Sequence, residues 1–118
     1  MDKIITIDKK EVKFRATART PRLYRALIGR DMIADMNRLK KRFEKVQGGE
    51  EDSLDVIDLQ IFEDVTYIMA RHANPDMKET SADDWLDGFN MFSIYEILPQ
   101  IFDLWQANTV QTSTPKKK

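Results

Sequence analysis

The 118-residue chain has no cysteine. That absence excludes disulfides and thiolate zinc sites. There is a single histidine, His72, so catalysis that pairs a nucleophile with a histidine base is poorly supplied. Glycine and proline are scarce, at four each. The only paired glycines, Gly48-Gly49, have neither a strand before them nor a lysine after them, so no phosphate-cradling loop is present. No apolar run approaches the roughly 20 residues needed to span a bilayer. The first residues, Met1-Asp2-Lys3, lead into no apolar signal core, so a cytoplasmic location is expected.

What is present is charge, at a third of all residues, and it is unevenly spread. The formal net charge is −1, yet residues 1–47 carry +8, residues 48–107 carry −12, and the last eleven carry +3. Two consequences are open at this level. Basic and acidic helices can lie side by side within one molecule. Alternatively, the two ends also attract between copies, head to tail, through Arg22, Arg25 and Arg30 against Asp83, Asp84 and Asp87.

The length suits one domain. Residues 3–7 are rich in isoleucine, and in residues 11–17 Val12, Phe14 and Ala16 alternate with Lys13 and Arg15. This pattern predicts an antiparallel hairpin over about residues 3–17 with one buried face. No Asn-Gly marks its turn, whose type stays open. Thr20-Pro21 predicts a helix start with Thr20 as cap, and Leu23, Ala26 and Leu27 as its apolar face. Gly29 interrupts the stretch 21–46 and Asp31 could cap a second helix, so the stretch is either one bent helix or two short ones. Met32, Met36, Leu39, Phe43 and Val46 give its second part a narrow apolar stripe.

Asp52 or Ser53 is expected to cap a helix over 53–73, with Leu54, Ile57, Ile61, Val65, Ile68 and Met69 buried and Phe62 beside them. Thr80 or Ser81 caps a helix over 82–89. A last helix over 91–107 places Ile94, Tyr95, Leu98, Phe102 and Trp105 on one face, with a kink at Pro99. Residues 108–118 read as a disordered basic tail. The expected architecture is therefore mainly α with a short N-terminal β-hairpin, an α+β domain of about four to five helices.

Chemistry-bearing clusters are few. Asp83, Asp84 and Asp87, or Glu63 and Asp64, could hold a metal or share a proton, but acids in the first turn of a capped helix are expected for structural reasons. His72 follows Arg71 at a helix end, where a cation favours the dipole. No enzyme activity, catalytic residue, metal or cofactor is expected. Arg15, Arg19, Arg22, Arg25 and Arg30, with the basic cluster at 38–45, could line phosphates. This keeps a small nucleic-acid-binding or regulatory protein as the alternative, although the acidic half opposes it. The C-terminal third crowds aromatic and methionine residues. Some must be core. Trp85, Phe89, Met91, Phe92 and Tyr95 are candidates for a protein-binding groove.

Several segments in order carry a family likeness: Lys3-Ile-Ile-Thr-Ile, Val12-Lys-Phe-Arg-Ala, Thr20-Pro-Arg-Leu-Tyr-Arg, Gly29-Arg-Asp, Ile61-Phe-Glu-Asp, Tyr67-Ile-Met-Ala, Trp85-Leu-Asp, Phe92-Ser-Ile-Tyr-Glu, Leu98-Pro, Leu104-Trp and the tail Thr112-Ser-Thr-Pro-Lys-Lys-Lys. Together they resemble the small tail assembly chaperones of long-tailed phages and prophages of Gram-positive bacteria. The likeness spans nearly the whole chain and rests on a composite pattern, not on a chemical motif. It implies a non-enzymatic protein of the bacterial host cytoplasm that binds the long, helical tape measure protein. Such proteins keep their partner soluble until tube subunits arrive, and are absent from the finished virion. The major tail tube protein is a further implied partner, and self-association into a homo-oligomer is compatible with that role.

Overall fold

The computed structural model describes residues 1–113, with side chains through residue 107. Strands β1 (Asp2–Ile7) and β2 (Lys10–Arg15) form a two-stranded antiparallel sheet in which Ile7 faces Lys10 and Asp2 faces Arg15. The two-residue connection, Asp8-Lys9, has positive φ at both positions, 53° and 66°. That is the backbone of a type I′ turn, whose twist matches the strands, reached here without an Asn-Gly. Ile5, Ile7, Phe14 and Ala16 are buried, and Val12 packs on them from the edge.

Helix α1 (Thr20–Ile28) ends at Gly29, whose φ of 87° closes it in the left-handed conformation that favours glycine. Asp31 then accepts from the Ile33 and Ala34 N–H groups and starts α2 (Met32–Gln47). The stretch 21–46 is therefore two helices, because a glycine C-cap and an aspartate N-cap lie two residues apart. Thr20 is not a helix cap. It is buried, accepts from the Thr17 N–H at 2.8 Å and meets His72 Nδ1 at 3.0 Å. Tyr24 is the large inward side chain of α1, while Ala26 and Leu27 face out. In α2 the stripe is as expected, with Met32, Met36 and Leu39 fully buried and Phe43 half-buried.

Helix α3 (Val56–Ala73) runs through the centre, in contact with β2, α1, α2 and α4. It starts later than Asp52 or Ser53. The Asp58 N–H donates to Asp55 Oδ1 at 2.8 Å and the Asp55 N–H donates to Asp58 Oδ2 at 3.1 Å, a reciprocal capping box. Leu54 thus precedes the helix and Ile57 turns outward, while Ile61, Phe62, Val65, Ile68 and Met69 are buried. Thr66 sits in the core because its hydroxyl donates back to the Phe62 and Glu63 carbonyls.

Ser81 caps the short α4 (Ala82–Leu86), accepting from the Asp84 N–H at 3.1 Å. The expected helix over 91–107 is replaced by a turn, a 3-10 helix (Ile94–Ile97) and α5 (Leu98–Ser113). Pro99 consequently does not kink a helix. It occupies the first turn of α5, where its missing N–H has no helical partner to lose. Ile94, Ile97, Leu98, Ile101, Phe102 and Leu104 close the core. The backbone of α5 is helical through Ser113, beyond residue 107, and the rest of the expected tail, 114–118, lies outside the described residues.

Candidate protein-binding surface

The five aromatic and methionine candidates separate into core and surface. Trp85 on α4 is 5% exposed, wedged against Phe14 (ring centroids 6.3 Å), Tyr67 (6.0 Å) and Phe89 (5.0 Å). It is a core residue. Tyr95 is half-buried, its ring 6.0 Å from Phe62 and its hydroxyl donating to Glu63 Oε2 at 2.6 Å. That bond, with burial, pushes the Tyr95 hydroxyl up to about 12. Phe89 is half-buried beneath Lys10.

Met91 and Phe92 are different. They are adjacent and exposed at 75% and 72%. Large apolar side chains exposed next to each other make this pair a candidate contact surface. The hairpin turn holds the loop that carries them. The left-handed Asp8 places its carboxylate where it accepts from the Asn90 N–H at 2.7 Å and Asn90 Nδ2 at 3.1 Å. Hydrogen bonds from the Ser93 side chain and the Asn90 backbone keep the Asp8 carboxyl below the usual carboxylate range. Lys10 Nζ donates to the Gly88 carbonyl at 2.9 Å. The loop is thus anchored on both sides of the exposed pair.

Composition and periodicity missed further exposed apolar residues. Leu27 and Ile33 lie at the α1–α2 corner, and Val56 and Ile57 open α3. The Asp55-x-x-Asp58 spacing is the signal that would have set the phase of α3 and turned Ile57 outward.

The charge asymmetry is partly folded inward. Arg30 donates to Asp35 at 2.9 Å, to Asp64 at 2.7 Å and to the Tyr24 hydroxyl at 2.9 Å. Burial and the bond to Asp35 raise the Tyr24 pKa. Arg38 and Arg42 reach across from α2 to Asp55 and Asp58 at the start of α3, at 3.1 to 3.4 Å. Arg30 is therefore committed within the molecule and is not free for self-association. Arg22, Arg25, Asp83, Asp84 and Asp87 are exposed and carry no ion pair among the described residues.

His72 is a core-edge residue paired with Thr20. Burial, then the charges of Arg15 and Arg19, lower its pKa below the ordinary 6.5. The folded chain thus binds fewer protons than the unfolded chain between that lowered value and 6.5. Stability is full above this window, falls as pH drops through it, and levels off below the lowered value. Urea unfolding at pH 7.5 and pH 5 should show this acid loss in the wild type and a smaller one in His72→Gln. An equal loss in both would mean that other groups carry it.

No group of three or more histidine, cysteine, aspartate or glutamate residues among those described could hold a metal ion. No described helix is long and apolar enough to cross a membrane. The fold is a small α+β domain. No protein-family model, curated protein or solved structure matches the chain.

Proposed function

We propose that this protein is a non-enzymatic phage tail assembly chaperone, which binds apolar segments of the tape measure protein and keeps them soluble while the tail tube is built. One observation carries the reading: the adjacent, exposed Met91 and Phe92 on a loop anchored by the hairpin turn. A flexible thioether beside an aromatic ring suits varied apolar helices. The family likeness of the sequence supplies the partner's identity and, with it, a host-cytoplasm location, absence from the finished virion and encounters with the major tail tube protein.

Co-expression with the tape measure protein tests this. The wild type should co-purify with it and hold it in the soluble fraction. The double variant Met91→Ala/Phe92→Ala should lower recovery about tenfold, the scale of a modest hot spot, with its helical circular dichroism unchanged. Asp8→Ala, which frees the loop, should give a smaller loss. Wild-type recovery in both variants sinks the reading.

Arg22 and Arg25 on α1, Asp83 and Asp84 on α4 and Asp87 just after it supply charges for head-to-tail association between copies. Light scattering should then report larger species at low salt than at high salt, and Arg22→Glu/Arg25→Glu should remove them. A mass that stays monomeric at low salt rejects this association.

A basic groove along α2, lined by Ala34, Asn37, Arg38, Lys41, Arg42 and Lys45, favours the nucleic-acid alternative. Two of its four cations are already paired to Asp55 and Asp58, which weakens its field. Retention on DNA that falls steeply with salt would support it over the chaperone reading.

A further inference from the structure

We propose that the cleft between the end of β2, the start of α1 and the end of α3 binds a small, doubly charged tetrahedral oxyanion, a sulfate or a phosphate group. The cleft has a volume of about 270 Å³ and is lined by Arg15, Arg19, Leu23, Arg71, His72 and Pro75. Three arginines from sequence-distant segments therefore line one small space. Arg15 is the last residue of β2, Arg19 is the residue before α1, and Arg71 lies in the last turn of α3.

Their charges are unequally compensated. Asp2 takes Arg15 in a two-point grip at 2.8 and 3.0 Å. Arg71 donates only to neutral oxygens, the Tyr67 hydroxyl at 3.3 Å and the Glu79 carbonyl at 3.2 Å. Neither Arg19 nor Arg71 has a carboxylate partner among the described residues. This contrasts with Arg30, Arg38 and Arg42, each of which does. Two uncompensated guanidinium charges balance one dianion, and their planar forks match the oxygens of phosphate or sulfate.

His72 supports the assignment in two ways. Its Nδ1 is engaged by Thr20, while Nε2 has no partner among the described residues and donates to an anion whenever the ring is protonated or Nδ1 accepts from the threonine hydroxyl. Its lowered pKa, caused by burial and then by Arg15 and Arg19, registers the positive field of the cleft. Leu23 and Pro75 give apolar walls, which strengthen the field inside.

The chain has one histidine, so His72 imidazole signals in proton–carbon NMR are unambiguous. Sodium sulfate is the probe, because it stays doubly charged while His72 titrates. Sodium chloride and sodium acetate at matched ionic strength are the controls. Sulfate should raise the His72 midpoint by about 0.5 more than either control, saturably, as expected for a dianion placed beside an imidazole. Arg19→Gln should raise the midpoint without sulfate and abolish most of the response, with circular dichroism unchanged. Phosphoserine is the second ligand: a response as large as that of sulfate marks a site for phosphate esters, and a weaker one marks a site for the free ion. A sulfate effect no larger than that of chloride or acetate overturns the site, as does a full response retained in Arg19→Gln/Arg71→Gln.

Discussion

Trp85→Ala will cost about 3–5 kcal/mol of folding stability, the range for emptying a large aromatic from a packed core. The indole touches the hairpin through Phe14, the central helix through Tyr67 and its own loop through Phe89. Its loss opens a void where three parts of the fold meet. A domain of this size has roughly 5–15 kcal/mol in total, so the variant is expected to populate unfolded chain in mild denaturant. Phe92→Ala, seven residues away, should change stability by less than about 0.5 kcal/mol, because its ring already lies in water. Urea midpoints of the two variants decide it. Similar midpoints would contradict the assignment of Trp85 to the core and Phe92 to the surface.

Asp58→Ala should be the most damaging change among the charged residues, at about 3 kcal/mol. Asp58 is 0% exposed. One oxygen accepts from Arg38 Nε at 3.1 Å, and the other lies 3.1 Å from Arg42 Nε and accepts from the Asp55 N–H. Alanine removes the buried one of the two carboxylates that face both arginines, leaving Asp55, and half of the box that starts α3. Both arginines retain a route to solvent, so the loss falls at the lower end of the range for a broken buried pair. Asp58→Asn, which keeps the shape without the charge, should fall between alanine and wild type. The α2–α3 junction should also lose protection first in amide hydrogen exchange. A loss below about 1 kcal/mol for alanine would mean that the capping box and the ion pairs contribute little.

These two residues also show where sequence reasoning runs out. Trp85, Phe89, Met91, Phe92 and Tyr95 form one crowded group on paper, and nothing in their types separates them. What separates them is that α4 ends at Leu86 and the chain then turns at the hairpin, which aims Trp85 inward and leaves Met91 and Phe92 outside. The start of α3 is a different case. Asp55-x-x-Asp58 is a local capping-box spacing that the choice of Asp52 or Ser53 passed over, and the ion pairs from α2 to Asp55 reinforce it. At Pro99 the apolar periodicity runs unbroken from Ile94 to Trp105, because the 3-10 helix and α5 bury one continuous row, so the period concealed the boundary that sets the proline in a first turn.

From the sequence by itself came the α+β class, the hairpin, the central helix, the Asp31 cap, a cap at Thr80 or Ser81, and the lack of any thiol or multi-histidine chemistry. All of these follow from interactions within a few residues, namely alternation, helical period and capping, or from residue types alone. Tertiary structure alone decided which arginines are neutralised, which apolar side chains meet water, and that Arg15, Arg19 and Arg71 share a cleft. Burial and ion pairing depend on distances between segments far apart in the chain, and no local pattern encodes those distances.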